Sequence, residues 1–206
     1  MNLIVITYPH NFNGEAQLIT QLFQNGLPTL HLRKPELEVN DYENYINAIP
    51  KEYHNKIVVH YHTELLDKFD LKGVHFSSAQ KVEDIGSKFT VSKSFHSIHE
   101  IENCDKRIDY AFLSPIFNSI SKQGYKSNFE DKTELKNNLS KLNAKPKMHA
   151  LGGIDNTNIN HVKELGFDGA TLLGYIWEPA INNQPEETIK RFKTIQQTCQ
   201  ELDPTY

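Results

Sequence analysis

Eight apolar runs of strand length, each followed by polar, helix-compatible sequence, predict a single (β/α)8 barrel of the TIM type for this 206-residue chain. Alternation of this kind feeds parallel strands through crossovers, and eight is the count that closes the sheet on itself. The length falls at the short end of such barrels, which start at roughly 200 residues. An open doubly wound sheet is the competing architecture, but it would leave two strand edges to protect.

The first run is LIVIT (Leu3–Thr7), followed by a helical pattern from Glu15 to Gln24 with Gly26 as its C-terminal signal. LPTLHLR (Leu27–Arg33) is the second, ahead of an amphipathic stretch around Tyr42–Ile49. KIVVHYH (Lys56–His62) is the third and GVHF (Gly73–Phe76) the fourth, with room for only a short helix between them. KFTVSKSF (Lys88–Phe95) is the fifth, and Ser97 has the character of an N-cap for a short helix to Glu102. DYAFLSPIF (Asp109–Phe117), KMHALGGI (Lys147–Ile154) and GATLLGYI (Gly169–Ile176) complete the eight. No linker, low-complexity tract or repeat of roughly 20–50 residues interrupts the series, so residues 1–206 are expected to form one domain.

The bulk composition narrows the function. A net charge of −4, with no basic stripe, argues against nucleic acid as a partner. No apolar run reaches the roughly 18 residues of a membrane span, and the opening MNLIVITYPH lacks a basic n-region, so a soluble cytoplasmic protein is expected. Cys104 and Cys199 form no disulfide framework. Of the ten histidines, His10, His54, His99 and His161 are read as surface residues.

A barrel places chemistry where strands end, at the carboxyl face. The polar residues there are His31, Arg33 and Lys34 after the second strand, His60 and His62 after the third, and His75 after the fourth. Ser94 and His96 follow the fifth; Ser114, Ser119, Ser121 and Lys122 follow the sixth. In ALGGIDNTN, Gly152 and Gly153 let the backbone approach an anion, and Asp155 or Asn156 would cap the next helix, whose N-terminus favours phosphate. Gly174, after the eighth strand, offers another unhindered amide. Arg33 suits bidentate phosphate recognition, and the hydroxyls of Ser119 and Ser121 beside Lys122 suit a second phosphate. His60 and His62, at alternate strand positions, are expected on one face. With His31 or His96 they form a candidate zinc set.

HLRK, GVHF, SKSFHS, DYAFLSPIFNSISK and ALGGI together make the chain resemble the thiamine phosphate synthase family, including its thiazole tautomerase (TenI-like) branch, over residues 3–178. The resemblance implies thiamine biosynthesis. In the reaction that the resemblance implies, a pyrimidine diphosphate would lose magnesium-bound pyrophosphate and the nitrogen of a thiazole phosphate would capture the resulting cation. By position, Arg33, Ser94, Ser119, Ser121 and Lys122 match pyrophosphate-contacting residues. Gly152, Gly153 and the backbone near Gly174 match the thiazole phosphate site. His31 stands where the synthases have glutamine, as in the tautomerase branch, and Lys34 lies one position early for the family lysine that Pro35 displaces.

The magnesium-binding aspartates of the family pattern fall at Tyr61 and Gln80, so both carboxylates are absent, while Glu64 matches an acid that is not a ligand. The tautomerase histidine falls at Pro115, where the synthases have proline. Open readings are therefore a synthase with altered metal dependence, a tautomerase using His31, His60, His62 or His96, and a phosphate-ligand binder that performs no chemistry or a zinc-dependent protein using the histidines. The expected partners are phosphorylated pyrimidine and thiazole molecules, with a homodimer left open.

Overall fold

The computed structural model describes residues 1–118, 126–142 and 145–202. Eight parallel strands close into a barrel in sequence order: β1 (Asn2–Ile6), β2 (Leu30–Leu32), β3 (Ile57–Val59), β4 (Gly73–Phe76), β5 (Thr90–Phe95), β6 (Tyr110–Leu113), β7 (Lys147–Leu151) and β8 (Gly169–Leu172). The ring is sealed by β1 pairing with β8, Leu3 opposite Ala170 and Val5 opposite Leu172. The helices are α1 (Glu15–Gln24), α2 (Val39–Asn47), α3 (Ile98–Glu102), α4 (Lys132–Lys141), α5 (Ile159–Glu164), α6 (Gly174–Ile181) and α7 (Pro185–Leu202). Two crossovers carry no α-helix: β3 reaches β4 through a 3-10 turn at Thr63–Asp67, and β4 reaches β5 through the loop 77–89. These short connections are how a barrel fits a chain of this length.

Strand parity divides the core. Leu3 and Val5 pack outward with the helices, whereas Ile4 and Ile6 join Tyr110 and Phe112 in a separate cluster inside the barrel. Buried Leu18, Ile19, Leu22 and Phe23 of α1 recur at helical spacing. That helix stops at Gly26, in the left-handed region at φ 89°, where the Leu27 amide donates back to the Leu22 carbonyl at 3.0 Å. Ser97 caps α3 through a capping box with Glu100.

Helices α6 and α7 are tied to the first strand and its N-terminal residue. Trp177 donates its indole N–H to the Ile6 carbonyl at 2.7 Å, and the N-terminal amine donates to Cys199 at 3.0 Å. Pro179 has no N–H for the Tyr175 carbonyl one turn back, and Arg191 of α7 donates to that carbonyl at 2.9 Å instead. His54 is not a surface residue: it is buried and donates from Nε2 to the carbonyls of Ile46 and Ile49, closing the turn after α2. The helix after β7 starts later than expected, with Asn158 as its N-cap. Asp155 instead accepts from the amide and hydroxyl of Thr157, a local turn that competes with an earlier helix start.

Candidate functional site

Inward positions on β2, β4 and β7 carry imidazoles. His31 lies between Leu30 and Leu32, His75 between Val74 and Phe76, and His149 between Met148 and Ala150; each flanking pair belongs to the outer core, so each ring points into the barrel. His60, one residue beyond β3, follows the same parity after Val59.

These rings are linked. His31 Nδ1 lies 2.9 Å from His60 Nε2, and His31 Nε2 lies 2.5 Å from the Tyr110 hydroxyl on the opposite side of the barrel. His75 bonds Ser92 Oγ through Nδ1 at 2.9 Å and Ser94 Oγ through Nε2 at 2.8 Å, and its ring stacks on His60 at 4.3 Å. The ligand atoms of His31, His60 and His75 all lie within 4.8 Å of one another, so these three residues could hold a metal ion.

Burial keeps the imidazoles neutral. Desolvation, with neighbouring His75, holds the pKa of His31 and of His60 well below the usual range, and Arg33 adds to this at His60. Burial, then Lys93 and Arg33, lowers His75 to about 3, and burial with Lys72 and Lys147 lowers His149 to about 3. The Tyr110 hydroxyl is pushed upward by burial and stays protonated. A neutral imidazole has one donor and one acceptor nitrogen, so the Tyr110–His31–His60 chain can be polarised in either direction.

Above this layer lies a cavity of about 340 Å³ at the carboxyl end of the barrel. His60 and His75 form its floor, with Arg33, Ser94, His96 and Gly152 around the wall. Among the described residues the wall holds no carboxylate, and the Arg33 guanidinium has no acidic partner. The Arg33 backbone is clamped to Thr7, which accepts from its amide at 2.9 Å and donates to its carbonyl at 3.1 Å. His96 donates from Nδ1 to the Ser114 carbonyl at 2.9 Å, which leaves Nε2 as an acceptor.

Gly152 and Gly153 adopt φ 100° and 65°. A Cβ on Gly153 would sit 2.1 Å from the Asn118 carbonyl oxygen, so the loop after β7 is packed directly against the loop after β6. Gly153→Ala is expected to destabilise the protein by roughly 2–3 kcal/mol, read as a lower urea midpoint.

Other expected residues lie elsewhere. His62 and His60 do not share a face: the strand ends at Val59, and His62 turns into the left-handed region at φ 61°. There it donates to the Leu37 carbonyl at 3.2 Å and faces Glu64 at 3.5 Å, away from the cavity wall. Lys34 is also off the wall, buried against Glu15 at 2.5 Å. Gly174 begins α6 just behind Leu173, which does line the cavity. Ser119, Ser121 and Lys122 lie outside the described residues. Sequence reading left His149, Ser92 and Tyr110 out of the site, and it noted His75 only as a strand-end residue. The signal for the histidines was there, a single histidine framed by two apolar residues in three strands.

Tyr61 and Gln80 line the cavity where the sequence resemblance places magnesium ligands. Gln80 Oε1 accepts from the Ser77 amide at 2.8 Å. Magnesium requires hard oxygen ligands, usually carboxylates. The donors here are imidazoles, hydroxyls and an amide, a set that does not fit it.

The chain and its fold match known proteins. Residues 3–176 match the family model described as thiamine monophosphate synthase. The thiamine-phosphate synthase of Prochlorococcus marinus is 29% identical over 140 residues, covering 63% of this chain and 38% of that protein, so the match spans well under half of the relative's length. A crystal structure of thiamine phosphate pyrophosphorylase from Bacteroides thetaiotaomicron is 34% identical, covers 98% of this chain and 99% of that one, and superposes with a TM-score of 0.84. The pyrophosphorylase from Pyrococcus furiosus, 15% identical with a TM-score of 0.78 over 98% of this chain and 96% of that one, shares the fold.

Proposed function

Because the chain belongs to the thiamine monophosphate synthase family, we propose that its mouth cavity joins a hydroxymethylpyrimidine diphosphate to a thiazole phosphate and releases pyrophosphate. The observation that carries this reading is an arginine without an acidic partner on a cavity wall that is free of carboxylates among the described residues and that also includes Gly152. In such a reaction the bond between the pyrimidine methylene carbon and the diphosphate oxygen breaks, and the thiazole nitrogen forms the new carbon–nitrogen bond. Negative charge builds on the departing diphosphate, so fixed cations there lower the barrier, while the cavity aligns the two partners. Arg33 takes this role, with Ser94 as a hydroxyl donor; the family resemblance assigns Ser119, Ser121 and Lys122, outside the described residues, as further contacts. Gly152, Gly153 and the chain near Gly174 would receive the thiazole phosphate.

The test is turnover of the two substrates with and without added magnesium, and absence of product under both conditions would overturn the reading. In the active protein, Arg33→Ala is expected to lower kcat/KM by about 100-fold, with Arg33→Lys recovering only part of the loss because it cannot form the bidentate fork.

A second reading is favoured by the hydrogen-bonded chain from Tyr110 through His31 to His60, which ends on the cavity floor. Such a chain suits a proton transfer between two ring positions of a bound thiazole phosphate. Solvent deuterium exchange into the thiazole, lost in His60→Ala but kept in His62→Ala, would support it; exchange unaffected by His60→Ala would remove it.

A further inference from the structure

We propose that His31, His60 and His75 form a binding site for a borderline transition-metal cation, Zn2+ foremost, at the floor of the mouth cavity. The site does not depend on the reaction proposed above.

Three consecutive strands supply one imidazole each. Zinc–nitrogen bonds of about 2.0–2.1 Å in tetrahedral geometry put neighbouring ligand nitrogens about 3.3 Å apart and ring centres about 5 Å apart. The His31 ring centre lies 5.1 Å from that of His60 and 5.2 Å from that of His75. His60 and His75, stacked at 4.3 Å, would have to splay by about an ångström.

Two of the three outer nitrogens already have orienting partners. Tyr110 holds His31 Nε2 and Ser92 holds His75 Nδ1, which leaves His31 Nδ1 facing His60 Nε2 at 2.9 Å and His75 Nε2 on the Ser94 hydroxyl. Histidine ligands in metal sites are fixed in this way through their second nitrogen. The Ser94 hydroxyl on His75 Nε2 gives way by rotating about its own bond.

Imidazole donors select zinc and its neighbours over magnesium or calcium. Three protein ligands leave a fourth position open, and because His60 and His75 line the cavity while His31 lies beneath, that position faces the cavity. A doubly charged ion beside Arg33 favours a water that has lost its proton, or a phosphate oxygen, as the fourth ligand.

The experiment uses the full chain stripped of metal with a chelator and titrated with Zn2+ against a chromophoric competitor. One ion per chain is expected, with micromolar affinity or tighter. His60→Ala and His75→Ala should each weaken binding by at least about 100-fold, while His62→Ala and His161→Ala change it by less than about threefold. Binding of well under one ion per chain, or an affinity unchanged by His75→Ala, would overturn the site. If the alanine variants fail to fold, the cobalt spectrum of the unaltered protein decides. Intense visible bands of four-coordinate Co2+ support the site, and the weak spectrum of the hydrated ion counts against it.

Discussion

Lys34→Met is expected to destabilise the protein by about 3–5 kcal/mol, because it leaves a buried carboxylate without its cation. Lys34 and Glu15 are almost fully buried and share a 2.5 Å hydrogen bond. Burial pushes the Lys34 ammonium down and the Glu15 carboxyl up, and the bond between them opposes both shifts. Lys34 also donates to the His10 carbonyl at 3.1 Å and lies over the Tyr45 ring at 5.1 Å. Removing both charges together, as Glu15→Leu with Lys34→Met, should recover most of the loss, since an apolar pair of similar volume carries no desolvation penalty. Urea unfolding of the two single variants and the double variant measures this, and a Lys34→Met loss under about 1 kcal/mol would contradict it. The pair also bears on function: the Lys34 amide is held by the Tyr42 hydroxyl at 2.8 Å, so this anchor fixes the segment that presents Arg33.

The metal-free protein should lose stability steeply as pH falls below about 6.5. The unfolded chain protonates its histidines near pH 6.5, whereas His75 and His149 in the fold resist protonation down to about 3. A group whose folded pKa is depressed contributes stability that is full above the unfolded value and is lost progressively below it. At pH 5 each of these two imidazoles accounts for about 2 kcal/mol of lost stability, together about 4 kcal/mol. His31 and His60 shift in the same direction and add to the loss. Unfolding midpoints recorded between pH 7.5 and 5 in the presence of a chelator test this, with His149→Gln reducing the slope by about one proton. A flat profile above pH 5 would show that the buried rings already carry protons in the fold.

The barrel was legible because its signals are local. GVHF matches β4 residue for residue, the Glu15–Gln24 helix matches α1, and Ser97 caps α3 as expected. Ends were less legible. The seven-residue run KIVVHYH contains a strand of only three, since pairing with β2 and β4 ends at Val59 and the chain then turns at His62. That one early ending separates His62 from His60 and removes the expected zinc pair.

Sequence by itself determined the fold class, the family and the chemical character of the mouth: an arginine, hydroxyls, a double glycine, and no aspartate at the two positions where the family pattern has it. Each of these follows from residue type and order along the chain. Only the tertiary structure decided which histidines meet. His31, His60 and His75 are brought together by the closure and register of the barrel, while Lys34, adjacent to Arg33 in sequence, is turned away into a pair with Glu15. The physical reason is parity: neighbours along a strand point to opposite faces, so chemistry inside a barrel is assembled across strands, at distances that the linear order does not record.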